Sequence, residues 1–224
     1  MAGNMAYWGS VMAAIRPAGI SFDNATTCND VGVLVTQATC THTVTSTGYN
    51  RAVFVGFRTS TANVVSSVTF GGSSMTLVAS STEPYTNSGV YLYYQFPSGT
   101  GAQNAVVNLS SAVIVDMTVV SYTGVAQVPP EVMAASSGGP FATYSQSLTT
   151  STDGDWTIMI EANNGSIGTL SAVTGTRRGL NFPTDAGMLL DSNGPVFPAG
   201  STSLSANMSG NSAYWGSVMA AIRT

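Results

Sequence analysis

The sequence predicts an all-β protein, a single antiparallel sandwich of about a dozen strands, and three observations predict it. Short stretches rich in Val, Thr, Tyr and Phe recur between Gly, Ser, Asn and Pro clusters along the 224 residues, as strands joined by turns do. Helical periodicity is scarce. The chain is 44% hydrophobic and only 7% charged, a foldable texture far from the charge-rich, apolar-poor composition of disordered segments.

The strands follow in order. "RAVFVGFRT" (51–59) alternates Ala52, Phe54, Gly56 and Arg58 against Val53, Val55 and Phe57, so one face is firmly apolar and the segment reads as a core strand. "VSSVTFGGSSMTLVAS" (65–80) reads as a hairpin, because Gly71-Gly72 supplies the positive φ angles of a tight turn between two alternating arms. "GVYLYYQF" (89–96), "AVVNLS" (105–110), "VIVDMTVVSYTG" (113–124), "DWTIMIEAN" (155–163), "GMLLD" (187–191) and "TSLSANM" (202–208) continue the series. Pro129-Pro130 and "SSGGP" (136–140) read as long connections across the top of one sandwich, since the strands on either side form one continuing series.

Cys28 and Cys40 stand at the two ends of "CNDVGVLVTQATC". They either bridge as a disulfide, worth about 3 kcal/mol for so short a loop, or remain two buried thiols; a bridge would imply an extracellular setting.

Residues 20–224 resemble a family of β-sandwich domains found in bacterial secreted proteins and in phage tail or virion-surface proteins. The resemblance rests on "ISFD" at the start, "HTVTSTGYNRAVFVGF", "VSSVTFGGSSMTLV", "VYLYYQFPSGTGAQNAVV", "VVSYTGVAQ" and a closing "AYWGSVMAAIR". It implies a jelly-roll-like sandwich without an established catalytic site, so it carries over no functional residues. The cysteine pair departs from the family pattern, as does Arg223 where the last strand often ends in Lys.

If the sandwich is residues 20–224, residues 1–19 are an extension, and that extension repeats the closing strand. "NMAYWGSVMAAIR" (4–16) and "NSAYWGSVMAAIR" (211–223) differ only where Met5 stands against Ser212. As strands they are mostly apolar on both faces, which suits the interior of a sheet; a helix is the rival reading, since Trp8, Val11, Met12 and Ile15 also sit at helical spacing, though Gly9 and Gly216 count against it. Burying the large side chains Tyr7, Trp8, Val11, Met12 and Ile15, or Tyr214, Trp215, Val218, Met219 and Ile222, is worth on the order of 10 kcal/mol gross at ~1.5 to 3 each, against a net domain stability of about 5 to 15. Two copies and one slot invite exchange between subunits. Three readings follow: the N-terminal copy is donated head to tail to a neighbouring copy of the chain, building a filament; it pairs beside its twin within one chain; or it is the tail of a preceding tandem repeat, with "RPAG" (16–19) as linker.

The six basic residues are all arginine, which excludes a Walker-type phosphate loop, a Schiff-base lysine and a lysine–asparagine crosslink. The net charge of −4 argues against a nucleic-acid partner. No apolar run reaches the ~20 residues of a membrane span, and no secretory leader pattern opens the chain, so it reads as a mature form or as a protein released by another route, such as host lysis. The single histidine, His42, rules out a two-histidine metal site within one chain, and no Gly-X-Ser-X-Gly elbow accompanies it. Asp153 and Asp155 are a weak calcium candidate beside the simpler reading of a solvated turn. Asp116, in an apolar run, must face solvent, be hydrogen-bonded or pair with an arginine such as Arg51 or Arg58. Tyr91 and Tyr93 share a face and offer a sugar-stacking platform or core packing, and Arg177 and Arg178 offer a grip on an anionic glycan or a solvated loop. The expectation is a non-enzymatic, cofactor-free structural protein of an extracellular or virion surface that assembles with copies of itself; the alternative is a carbohydrate or cell-surface binding module.

Overall fold

The computed structural model describes residues 19–29, 32–45, 48–164, 170–179, 187–209 and 212–224. The described residues form antiparallel strands and no helix: β1 (Ser21–Asn29), β2 (Val35–Val44), β3 (Ala52–Thr59), β4 (Val65–Phe70), β5 (Ser73–Ser74), β6 (Thr76–Thr82), β7 (Gly89–Gln95), β8 (Gly101–Val113), β9 (Val115–Thr123), β10 (Met133–Phe141), β11 (Thr143–Thr149), β12 (Trp156–Asn163), β13 (Leu170–Thr174), β14 (Thr176–Gly179), β15 (Gly187–Asp191), β16 (Ser201–Met208) and β17 (Ala213–Ile222).

These strands make four sheets rather than the two expected of one sandwich. The first half supplies an outer sheet, β2-β8-β4-β5, and an inner sheet, β1-β9-β3-β7-β6; the second half supplies an inner sheet, β10-β17-β12-β15-β14, and an outer sheet, β11-β16-β13. Replacing β1, β2, β3, β4, β6, β7, β8 and β9 by β10 through β17 in turn converts the first pair of sheets into the second, apart from the two-residue β5. The chain therefore runs the same strand order twice, and Pro129-Pro130 lie in the connection between the two runs. "SSGGP", expected to be a loop, is part of edge strand β10, paired with β17. Its small side chains suit it to lie under β6, whose Ser81 hydroxyl donates to the Ser136 carbonyl.

The layers stack outer, inner, inner, outer, with an apolar core at each contact. Val53, Val55, Phe57, Met117 and Val119 of the first inner sheet meet Cys40, Phe70, Ala105 and Val107 of its outer sheet. Its opposite face, with Phe54, Leu92, Val120 and Tyr122, meets Ile158, Ile160, Leu189 and Val218 of the second inner sheet. Beyond that sheet, Met159, Met188, Trp215 and Met219 meet Leu148, Leu204 and Met208. β3, β12 and β15 are buried at every residue, so the run at 51–59, read from its alternation as apolar on one face, is buried on both. Across the central seam β1 touches β14 while β6 touches β10, equivalent strands with halves exchanged, although β7 lies closer to β12 and β17 than β15 does to β3 and β9.

Gly71 and Gly72, at φ +58° and +82°, turn β4 into β5 as the sequence predicts. The hairpin stops after two residue pairs, because the chain then crosses to the inner sheet and pairs with β7 as β6.

At the seam Gly56 replaces a side chain with close approach: a Cβ there would lie 2.8 Å from Leu189 Cδ1 and 3.3 Å from Ile160. Gly56→Leu is expected to lower unfolding stability by about 1 to 3 kcal/mol through overpacking, read as a urea midpoint shift. Thr39→Val on the exposed outer face should stay within about 0.5 kcal/mol; equal effects of the two would refute a close-packed seam.

Candidate functional site

β17 lies inside its sheet, hydrogen-bonded to β10 from Trp215 to Ala220 and to β12 from Trp215 to Ile222. This excludes the helical reading for the C-terminal copy. All of its residues but Tyr214 are buried. Val218, Ala220 and Ile222 face the seam, and Gly216 is small because a Cβ would press within 3.1 Å of the Glu83 amide and Val90 Cγ2. On the other face Trp215 stacks on Tyr144 at 5.6 Å and donates its indole N–H to the Phe141 carbonyl at 2.9 Å. Ser217 donates to Gln146 Oε1 at 2.9 Å, where the Ser136 hydroxyl also donates, and lies 3.0 Å from the Tyr144 hydroxyl. Each of these side chains recurs in residues 4–16: Trp8 for Trp215, Gly9 for Gly216, Ser10 for Ser217, Val11 for Val218, Met12 for Met219 and Ile15 for Ile222. Tyr7, Trp8, Val11, Met12 and Ile15 themselves lie outside the described residues.

The C-terminal end of β17 is clasped. The Arg223 carbonyl accepts from the Ala126 amide at 2.9 Å, the Ala221 carbonyl from the Glu131 amide at 3.1 Å, and the Thr224 amide donates to Asp155 Oδ1 at 3.3 Å. Burial, and after it the Glu131 carboxylate, push Asp155 up to about 6. Donors from Ser151 and Thr152 hold Glu131 down at about 2. Asp153 turns elsewhere, accepting from the Ala199 amide at 2.6 Å. The two aspartates of the calcium candidate thus serve different partners, and no group of three metal-ligating side chains occurs among the described residues.

His42 does meet a serine and an aspartate, in an order that supports structure rather than nucleophilic attack. Ser121 Oγ donates to Asp23 Oδ2 at 2.6 Å and lies 3.0 Å from His42 Nε2, while His42 Nδ1 lies 2.9 Å from Thr26 Oγ1. With its proton given to Asp23, the serine accepts from Nε2–H, which leaves Nδ1 as acceptor for Thr26. The hydroxyl therefore sits between acid and imidazole instead of handing its proton to the imidazole. His42 and Ser121 are both fully buried. Burial acts to raise the Asp23 carboxyl, but donors from Ser121 and Thr45 outweigh it and hold it below the usual range. Beside this cluster Cys28 and Cys40 form a disulfide, with Cα atoms 5.6 Å apart, tying β1 of the inner sheet to β2 of the outer.

Asp116 pairs with Arg58 at 3.0 Å, both buried at the seam. Arg178 belongs to strand β14: its Nε lies 2.7 Å from Asp191 Oδ2, which also accepts the Tyr122 hydroxyl at 2.8 Å, and its guanidinium lies 3.9 Å from the Phe22 ring centroid. Arg177 is exposed. Tyr91 is buried, stacked on Phe57 at 5.1 Å with its hydroxyl accepting from the Asn63 amide at 2.8 Å, and Tyr93 stacks on Phe57 at 5.8 Å; this face packs against the outer sheet rather than offering an open platform.

Sequence reading missed Glu161, fully buried opposite Ser217. Burial pushes it well above the usual carboxylate range, against a smaller lowering by Asn163. Its place in "WTIMIEAN", apolar on both sides, was the available signal.

The class these features define is an all-β protein of two stacked antiparallel sandwiches, closed in its second half by a strand whose sequence occurs twice. Compared with family models, curated proteins and solved structures, the chain finds no match.

Two pH measurements test the buried groups. Burial lowers His42 from 6.5 to about 4, so between these values the unfolded chain binds the extra proton. Relative to a His42→Gln variant, wild-type stability should be full above pH 6.5 and fall by about 3 kcal/mol as pH drops to 4. The imidazole resonances of this single histidine should titrate near 4 by NMR; a midpoint near 6.5 would refute the burial. Glu161 has the opposite sign, because its raised value keeps a proton on the folded chain that the unfolded chain has lost. Wild-type stability should fall relative to Glu161→Gln by up to about 1.4 kcal/mol per pH unit above 4.5; parallel curves from pH 5 to 8 would refute it.

Proposed function

We propose that this chain is a non-enzymatic structural protein of an extracellular or virion surface, that each half is a jelly-roll-like sandwich, and that the duplicated closing strand links copies head to tail. The observation that carries the assembly reading is the position of β17, central and buried, with a second copy of its sequence at 4–16. A strand received from a neighbour would find the same two ladders and the same pockets for Trp, Gly, Ser and Val. Because β17 is held on both sides, donation has to precede its docking rather than displace it afterwards. The strand order of the first half, β1-β9-β3-β7 in one sheet and β2-β8-β4-β5 in the other, supports the jelly-roll assignment. The Cys28–Cys40 bridge supports an oxidising setting. The polar side chains that converge, around His42, Asp191 and Asp155, join strands to one another, which supports a structural role. The carbohydrate-binding alternative loses its platform with Tyr91 and Tyr93 packed on Phe57.

Full-length protein and a version lacking residues 1–19 should differ in assembly by light scattering and negative-stain microscopy at matched concentration. Head-to-tail polymers are expected only with the segment present; identical particle sizes for both would sink the donation reading.

A further inference from the structure

We propose that Tyr85 and Tyr214 form a stacking site for the flat apolar face of a neutral pyranose, at the rim of the seam between the two sandwiches. The aromatic face expected at Tyr91 and Tyr93 is packed away, but this second pair stands at the surface. Tyr214 is the one residue of β17 that is not buried, and Tyr85, in the loop from β6 to β7, is 70% exposed. Their rings nonetheless lie almost parallel, with centroids 5.3 Å apart and planes at 12°. One ring comes from each half of the chain, and ligand sites favour such junctions. Stacking covers one face of Tyr85 and leaves the other in water.

The core does not need this ring, yet the loop that carries it is firmly fixed. Glu83 is fully buried, and burying a carboxyl is costly unless its oxygens are bonded. Here they accept the Tyr85 amide at 2.5 Å, the Thr86 amide at 2.8 Å and the Thr86 hydroxyl, while the Glu83 amide donates to the Ser88 carbonyl at 2.9 Å. Asn87 completes the turn at φ +57°, and its carbonyl accepts the Ala62 amide at 2.8 Å. A short loop held in this way presents its largest side chain in one place before any ligand arrives, and such preorganisation lowers the cost of binding. Tyrosine suits the task, because it offers a large rigid contact with few rotatable bonds.

The groups around the rings select the ligand class. Neither phenol hydroxyl bonds another group among the described residues. Asn164 accepts the Tyr214 amide on Oδ1 at 2.8 Å, which leaves its Nδ2 group as a donor beside the pair. Residues 84–88, Asn164 and Tyr214 include no Asp, Glu, Arg or Lys, so an anionic or cationic ligand finds no counter-charge there. A pyranose matches the set: its C–H face lies on the ring, and its hydroxyls meet phenol and carboxamide groups of the same neutral polarity. The site does not depend on strand donation, and either can fail without the other.

The test is an array of neutral gluco-, galacto- and manno-oligosaccharides, set beside sialylated and uronic-acid glycans and probed with the full chain. Binding is expected among the neutral glycans only. By calorimetry with the best of them, Tyr85→Ala should weaken affinity at least about tenfold, and Tyr85→Phe, which keeps the stacking face, by no more than about threefold. Because Tyr85 is exposed, both variants should melt within a few degrees of wild type. In the wild-type protein, titration with the same sugar should shift the ring-proton resonances of Tyr85 and Tyr214, which locates the ligand without any substitution. The proposal is overturned by an array without neutral binders, by a preference for anionic glycans, by affinity that Tyr85→Ala leaves unchanged, or by ring resonances that do not move.

Discussion

Everything in this molecule depends on two inner sheets that are apolar on both faces. A sheet with one solvated face can close a sandwich and stop; here Phe54, Leu92, Val120 and Tyr122 remain on the far side of the first sandwich, and Ile158, Ile160, Leu189 and Val218 on the near side of the second. Leaving either set in water would forfeit the burial that dominates folding, so the halves have to meet. The seam is also where buried charge is spent. Arg58 with Asp116 and Arg178 with Asp191 and Tyr122 contribute little net stability as pairs, but losing one partner costs about 3 to 5 kcal/mol. Arg58–Asp116 and Arg178–Asp191 each join neighbouring strands of one sheet, whereas the Tyr122 hydroxyl on Asp191 and the Arg178 guanidinium over Phe22 cross the seam and fix its register while the apolar side chains supply the adhesion.

The outer sheets show the opposite economy. β2, β4, β5, β8, β11, β13 and β16 contain no Asp, Glu, Arg or Lys. Their outward side chains instead bond one another in rows, Gln37 to Asn108 and on to Ser67 at 2.8 and 2.9 Å, Thr41 to Asn104 at 2.8 Å, and Thr143 to Asn207 at 2.8 Å. Such faces are wet but neutral. They lack the charges by which many β proteins discourage association.

Much of the strand content was legible because turn chemistry and alternation are local. Gly71-Gly72 marks its turn, and "RAVFVGFRT", "DWTIMIEAN" and "GMLLD" mark their strands. The number of layers was legible only indirectly. Asp116 and Arg58 announce a buried pair, but nothing local says that the pair lies between two sandwiches, and the near-continuous apolar runs that imply it also suit the centre of one. The repeated strand order left no trace strong enough to see, because β3 and β12 share a burial pattern without sharing residues. At the candidate site the duplication pointed to a strand that lies central in its sheet, while the convergence of His42, Ser121 and Asp23, separated by up to 98 positions, is a property of topology that spacing does not encode. "SSGGP" misled because small residues that mark a loop also fit an edge strand beneath a crossing partner.

The duplicated strand turns on counting as much as on chemistry. On the proposed donation each chain has one slot of this kind and two near-identical sequences for it, so filling slots across a population leaves as many spare strands as there are chains, whichever copy is used. Exchange therefore gains no extra filled slot, and equilibrium burial alone does not drive a filament. What selects the outcome is which strand arrives first at a half-built sheet and whether it can leave again. β17 makes two full ladders and packs against both neighbouring layers, so its release means opening the second sandwich and the seam together. A barrier of that kind makes the first arrival persistent.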